Sequence, residues 1–208
     1  MRGIAYASSV AVLGPASIYP EGPVSDDASL NPRTLYGVYK QANEATARIY
    51  WDDFGIGSVG LRPYIVYGAA RDQGLNSDLA RAILAATVGR PFYIKFGGKA
   101  ALQYTRDVAQ MFIRAARAEF SGAVACNMQN DSVSIESFLE TLRQVLPECE
   151  VDFDASVELP FPHRMDDSRL RSIIGEIPHT PLPEAILETS QIFRTLAKEG
   201  RIDLSQLE

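Results

Sequence analysis

The chain has 208 residues, 46% of them hydrophobic and 22% charged, the composition of an ordinary soluble globular protein with core for one domain or two small ones. A formal net charge of -6 argues against a nucleic-acid partner, because phosphate contacts need clustered Lys and Arg, and no stretch is apolar enough to span a bilayer. No basic-then-apolar signal segment opens the chain, and Cys126 and Cys149 lie in no Cys-x-x-Cys or Cys/His cluster, so both read as reduced structural thiols of a cytoplasmic protein.

In chain order, residues 1–9 read as a short buried strand ending on polar residues. A Pro- and Gly-bearing loop follows from Gly14 to Pro32. A helix is expected over 34–53, with Leu35, Val38, Ala42, Ala45 and Ile49 recurring at three- and four-residue steps as a core-facing stripe, and with Gly55 and Gly57 stopping it. Residues 58–67 read as a second buried strand, 76–88 as a helix and 92–96 as a strand. Thr105 is placed to cap a helix carrying Val108, Met111, Phe112 and Ala115. Residues 123–128 return to strand, and Ser134 caps a helix with Ile135, Phe138, Leu139, Leu142 and Val145 inward. A short strand at 150–153 and a helix at 168–174 follow. The last helix has Pro183 near its start, Ile186, Phe193 and Leu196 on one face, and Gly200 after its end. Strands alternating with helices make the class α/β. His163 and His179 have neither each other nor a carboxylate at ligand spacing, so no metal is expected.

Gly55-Ile56-Gly57-Ser58-Val59-Gly60 has the G-x-G-x-x-G spacing that cradles a dinucleotide pyrophosphate. That chemistry needs a strand before the glycines and a helix after them, so that helix N-terminal amides meet phosphate. Here a helix precedes and a strand follows, so the glycines read as a helix stop. The residues able to do chemistry lie earlier. Tyr36-Gly37-Val38-Tyr39-Lys40 sets Tyr36 and Lys40 four apart on one helix face, where an ammonium favours phenolate and suits proton transfer. Tyr39 points elsewhere. Taken alone, the pair also fits a surface tyrosine beside a solvated lysine.

Its neighbours give the pair a context. Ser8-Ser9-Val10-Ala11-Val12-Leu13-Gly14 is similar to the Ser-Ser-x-x-Val-Tyr-Gly segment of extended short-chain dehydrogenase/reductases, the NAD-dependent epimerase/dehydratase family. Pro32 matches that family's Pro-x-x-x-Tyr, and the 61–68 segment its Leu-Arg-Pro-x-x-Val-Tyr-Gly strand. The 104–109 segment resembles its Val-x-Asp-Val-Ala, and Asp166 to Ile186 its closing blocks. The resemblance is colinear over the whole chain. It implies Ser9, Tyr36 and Lys40 as the catalytic set, with Tyr36 as general acid/base and Ser9 orienting the substrate oxygen. Tyr36 and Lys40 would stand at the cofactor, with Lys40 on the nicotinamide ribose and favouring the Tyr36 phenolate. Pro63, Tyr64 and Val66 would border the nicotinamide, with strand packing the plain alternative for Tyr64 and Val66. Lys99 and Arg164 are candidates for a substrate anion, or else solvated charges.

The resemblance implies a Rossmann-like parallel sheet lacking its first strands, plus a small α/β substrate-binding region. Residues 1–67 and 101–130 would belong to the NAD(P)-binding part, 68–100 and 131–208 to the substrate part. The family's glycine-rich opening is absent from the chain, so the reading is of a fragment, in which NAD and NADP cannot be told apart. Ile4, Tyr6, Val10 and the stripe of the tyrosine helix would then lack part of their cover, and the isolated chain is expected to be marginally stable. A homodimer through the tyrosine helix is a further possibility for the whole protein. Family members that bind nucleotide sugars carry Asn where this chain has Ile65, and Arg near Lys99, Ala100 and Ala101. Dehydratases carry Asp-Glu where it has Val10 and Ala11. A small-molecule oxidoreductase is therefore the first expectation, a sugar epimerase the second, and an inactive chain without cofactor the third.

Overall fold

The computed structural model describes residues 3–71, 73, 74 and 76–207; Met1 and Arg2, the first residues of the expected opening strand, lie outside them. The chain divides into two compact units. The first comprises residues 1–64, 107–132 and 160–178; the second comprises 65–106, 133–159 and 179–208.

The first unit is built on a parallel sheet of three strands in the order β1-β2-β6, with β1 at Ile4–Ala7, β2 at Ser58–Arg62 and β6 at Ala123–Asn127. Ile4 pairs with Ser58 and Ser58 with Ala123; β2 and β6 end together at Arg62 and Asn127, and β1 ends one residue sooner, with Ala7 opposite Leu61. Alternate residues of β2 serve opposite faces. Val59 and Leu61 pack with Cys126, with Met111 and Ala115 of α3 (Thr105–Arg117), and with Leu170 of α5 (Ser168–Ile174). The other face carries Gly60, where a Cβ would meet the Tyr6 ring at 2.5 Å, and Arg62, which faces α1 (Leu35–Phe54).

α1 has the bounds that its sequence suggests, from the Thr34 cap to Gly55 in the left-handed conformation (φ 64). The buried face differs from the apolar stripe. Leu35, Val38 and Ile49 are exposed, while Gly37 and Glu44 are buried. The helix meets its sheet through a close approach and an ion pair instead of aliphatic packing. Val10, expected to be short of cover, is buried, whereas Ile4 is partly exposed.

The single strand expected over 58–67 is two. Pro63 has no N–H to give a ladder. β3 (Ile65–Tyr67) instead joins β5 (Lys99–Tyr104) and β7 (Asp131–Ser134) in a second sheet, order β3-β5-β7, with β3 and β5 parallel. A two-stranded parallel pair, β4 (Phe92–Ile94) and β8 (Val151–Phe153), completes the strands of the second unit. Its helices are α2 (Asp78–Val88), α4 (Ile135–Val145) and α6 (Leu182–Lys198). Ser134 caps α4 by accepting from Ser137 N. Phe138 is fully buried and lies edge-on to Tyr67, whose ring also meets Tyr104.

Candidate active site

The candidate site is built where β1 ends. Past Ala7 the chain runs through Ser8 and Ser9 into a tight turn at Val10–Val12. Ser9 is extended, and its Oγ accepts the Ala11 N–H at 3.1 Å. A hydroxyl that accepts an N–H from its own turn retains its hydrogen for another acceptor. On either side, Ser8 N donates to Leu61 O (2.8 Å) and Val10 N to Pro63 O (3.0 Å), so Ser9 is bracketed by two backbone bonds to the end of β2.

Tyr36 and Lys40 stand on the first turns of α1. The Thr34 hydroxyl accepts from Gly37 N at 3.0 Å and fixes where the helix begins. Gly37 abuts the turn that follows Ser9: a Cβ there would lie 3.0 Å from the Ala11 carbonyl carbon, nearer still to its oxygen, and 2.9 Å from Pro32 Cβ. Glycine at this position therefore lets the tyrosine helix lie directly against the serine turn. Lys40 Nζ is 5.5 Å from the centre of the Tyr36 ring and donates to Ala7 O at 2.7 Å. Tyr36 is 55% exposed and open to a ligand, and Tyr39 is also exposed.

Beneath these residues lies a buried polar network. Glu44, one further helical step along the face of Tyr36 and Lys40, forms a two-pronged ion pair with Arg62: Nε to Oε1 and Nη2 to Oε2, each 2.8 Å. Ser8 Oγ donates to Glu44 Oε1 at 2.5 Å. Arg62 Nη1 reaches Asp26 O (3.0 Å) and Asn127 Oδ1 (3.2 Å). Asn127 N donates to Asp26 Oδ1 at 2.5 Å, and Asn127 Nδ2 to Val24 O at 2.9 Å. Burial pushes the Asp26 carboxyl up to about 6 against the pull of the Asn127 amide, Arg169 and Arg62. Burial, helped by the Glu44 charge, pushes the Tyr6 phenol up to about 12.

The remaining candidates are spread between the two units. Pro63 supplies the carbonyl beside Ser9. Tyr64 is buried edge-on against Phe161, its hydroxyl donates to Phe161 O at 3.4 Å, and burial raises its phenol. Val66, on β3, and Lys99, exposed at the start of β5, belong to the second unit. Arg164 is exposed in the first unit, where its carbonyl accepts from Val24 N at 3.0 Å. The sequence singles out none of Ser8, Asp26, Glu44, Arg62 and Asn127 as a site residue, although Ser8 and Arg62 fall inside the family-like segments. The one available signal for Glu44 was its four-residue step from Tyr36 and Lys40.

The residues fit the nicotinamide-ribose end of a dinucleotide. Of the three N–H groups on Lys40, Ala7 O takes one, leaving two for vicinal hydroxyls. No glycine-rich strand-turn-helix for a pyrophosphate occurs among the described residues, since Gly55 ends α1 and β2 begins at Ser58. Nor does any group of three or more His, Cys, Asp or Glu among them form a metal site. No helix among them is long and apolar enough to cross a membrane.

A parallel α/β unit with serine at a strand end and Tyr-x-x-x-Lys on the next helix defines a Rossmann-like class of protein. The profile of the NAD dependent epimerase/dehydratase family matches residues 2–127, more than half of the chain, and the chain belongs to that family. It is 27% identical over 191 residues to UDP-glucose 4-epimerase of Mycolicibacterium smegmatis, covering 84% of this chain and 58% of the relative. Among solved structures it is similar to a partial consensus L-threonine 3-dehydrogenase, with TM-score 0.82 and 21% identity over 93% of this chain and 66% of the other. It is also similar to UDP-glucuronic acid 4-epimerase of Bacillus cereus in complex with NAD, with TM-score 0.75 and 21% identity over 97% and 62%. The chain thus spans about three fifths of the length of these proteins.

Proposed function

We propose that the protein to which this chain belongs is an NAD(P)-dependent oxidoreductase that moves hydride at a hydroxyl or carbonyl carbon of a small polar or sugar-like substrate. The observation that carries the reading is the seating of Gly37 against the Ala11 carbonyl, which sets the Ser9 turn beside the helix of Tyr36 and Lys40. In the oxidising direction Ser9 donates its free hydroxyl hydrogen to the substrate oxygen and orients it. Tyr36, as phenolate, takes the proton from that oxygen, and Lys40, anchored on Ala7 O, supports the phenolate charge and holds ribose hydroxyls. The bound dinucleotide would supply the hydride acceptor. As the C–H electron pair leaves with hydride and the O–H proton goes to Tyr36, the carbon–oxygen bond becomes a carbonyl. Pro63, Tyr64 and Val66 would border the nicotinamide, and Lys99 and Arg164 are candidate contacts to a substrate anion. On this reading residues 1–67 and 101–130 serve the cofactor, and 68–100 and 131–208 the substrate.

A second reading, a nucleotide-sugar 4-epimerase, is favoured by the 27% identity to a UDP-glucose 4-epimerase. Against it stand Ile65, Ala100 and Ala101. All three are buried, and none can offer the amide or guanidinium that a diphosphate needs. Calorimetric titration of the chain with NAD+ and with NADP+, followed by optical assay of NAD(P)H formation from added hydroxy compounds, tests these readings. Tyr36→Phe is expected to abolish hydride transfer and leave cofactor affinity within about twofold. Unchanged turnover would sink the assignment. Isomer interconversion without net cofactor reduction would favour the epimerase, and absence of heat with both nucleotides would leave this 208-residue chain without a cofactor site.

A further inference from the structure

We infer that Glu44 is a positioning residue for this reaction: acting through Ser8, it fixes the strand end that carries Ser9 against the helix that carries Tyr36 and Lys40. The inference rests on the oxidoreductase reading and adds to it a residue that touches neither substrate nor cofactor. Tyr36, Lys40 and Glu44 follow one another at four-residue steps along a single face of α1. Two of these rungs grip consecutive residues of the strand end. Lys40 Nζ holds the Ala7 carbonyl at 2.7 Å, and Glu44 Oε1 holds the Ser8 hydroxyl at 2.5 Å. The next residue is Ser9. The reacting side chains are thus set by a ladder of side-chain bonds whose deepest rung is Glu44.

The ladder is rigid because its lower end is fully engaged. Glu44 is 5% exposed, and both its oxygens are taken by Arg62. Arg62 ends β2 and also reaches the Asp26 carbonyl and the Asn127 side chain at the end of β6. Glu44 therefore joins the helix to the ends of all three strands of the first unit. An ion pair buried this deeply is a poor source of stability, since apolar residues of like volume often serve as well or better. What it supplies is a unique registry, and here the registry fixed is that of Ser9 relative to Tyr36. Misplacement of a reacting group by about 1 Å can cost about 100-fold in rate.

Ser8→Ala removes the link and leaves the Glu44–Arg62 pair in place. It is expected to lower kcat about 10- to 100-fold with KM within about twofold, and Ser8→Thr, which keeps the hydroxyl, to restore most of the rate. Glu44→Gln should lower kcat at least as far. A second readout needs no turnover: amide hydrogen exchange of Val10, which donates to Pro63 O just past Ser9, should accelerate about tenfold in Ser8→Ala while amides of α3 keep their rates. Wild-type kcat in both Ser8→Ala and Glu44→Gln, with Val10 exchange unchanged, would overturn the inference. Should Tyr36→Phe also turn over normally, the oxidoreductase reading fails by itself, and the Val10 amide still decides whether Ser8 holds the strand end. In a chain that shows no turnover, unchanged Val10 exchange in Ser8→Ala overturns the inference alone.

Discussion

Replacing Gly37 with alanine sets two effects of opposite sign against each other. Alanine favours helix over glycine by up to about 1 kcal/mol, so on local grounds Gly37→Ala should stabilise α1. The new Cβ, however, would stand 3.0 Å from the Ala11 carbonyl carbon and 2.9 Å from Pro32 Cβ, with the Ala11 oxygen closer than either. These are backbone and ring atoms that no rotamer change can move aside. Inserting a methyl into such a contact costs about 1–3 kcal/mol, so the net expectation is a loss of up to about 2 kcal/mol. For a chain of this size each kcal/mol lowers Tm by about 2–4 °C, so the drop reaches up to about 8 °C, read by circular dichroism on heating. The relief of the clash must push the first turn of α1 away from the Ser9 turn by a fraction of an ångström to about 1 Å, and kcat should fall about 10- to 100-fold. A raised Tm with undiminished turnover would refute the reasoning, because helix propensity would then have outweighed a contact that does not exist.

The buried carboxyl of Asp26 gives a pH signature. Its ordinary value of 3.8 is raised to about 6 in the fold, so between pH 4 and 6 the unfolded chain releases this proton first, and the contribution of Asp26 to stability falls as pH rises through that window. Asp26→Asn removes the penalty: its unfolding free energy relative to wild type should grow by about 1–2 kcal/mol from pH 4 to pH 7, solvent screening included, and a flat difference in urea titrations would contradict it. The thiols should separate by reactivity. Burial pushes Cys126 up to about 12 inside the first core, so a maleimide applied to the native chain should label the half-buried Cys149 and spare Cys126.

The sequence carried the helix bounds to within a residue or two, because caps and stops are local: Ser134, Gly55 and Gly200 act through their own neighbours, whereas Thr105, expected as a cap, is the first residue of α3. Ser9, Tyr36 and Lys40 were legible for a related reason, since their spacing along the chain sets their places at a strand end and on a helix face. Two strands were not. β5 contains Ala100 and Ala101, and β7 is mostly polar, so neither has the β-branched alternation that marks a strand; pairing makes them strands. Glu44 was unreadable as a buried group, because a glutamate in a helix looks like solvated surface until Arg62 is folded against it. The apolar stripe of α1 points outward although its periodicity is that of a core helix, and the buried face is instead the one that carries Gly37 and Glu44.

The order in which the sheet of the first unit is threaded has a consequence for synthesis. β1 pairs with β2, and β2 with β6, while β3, α2, β4 and β5 of the second unit lie in the chain between β2 and β6. The segment from Pro160 to Pro178, which supplies Leu170 to the first core, emerges later still. A growing chain released only as far as Tyr64 holds two of the three strands, with Val59 and Leu61 bare on one face. The first unit therefore completes its core only after most of the second has been made. Every parallel pairing in it must close a long loop, which is slow. Until Asn127 has emerged from the ribosome, Arg62 lacks one of its partners, and the network beneath Ser9 is incomplete until the third strand has been made.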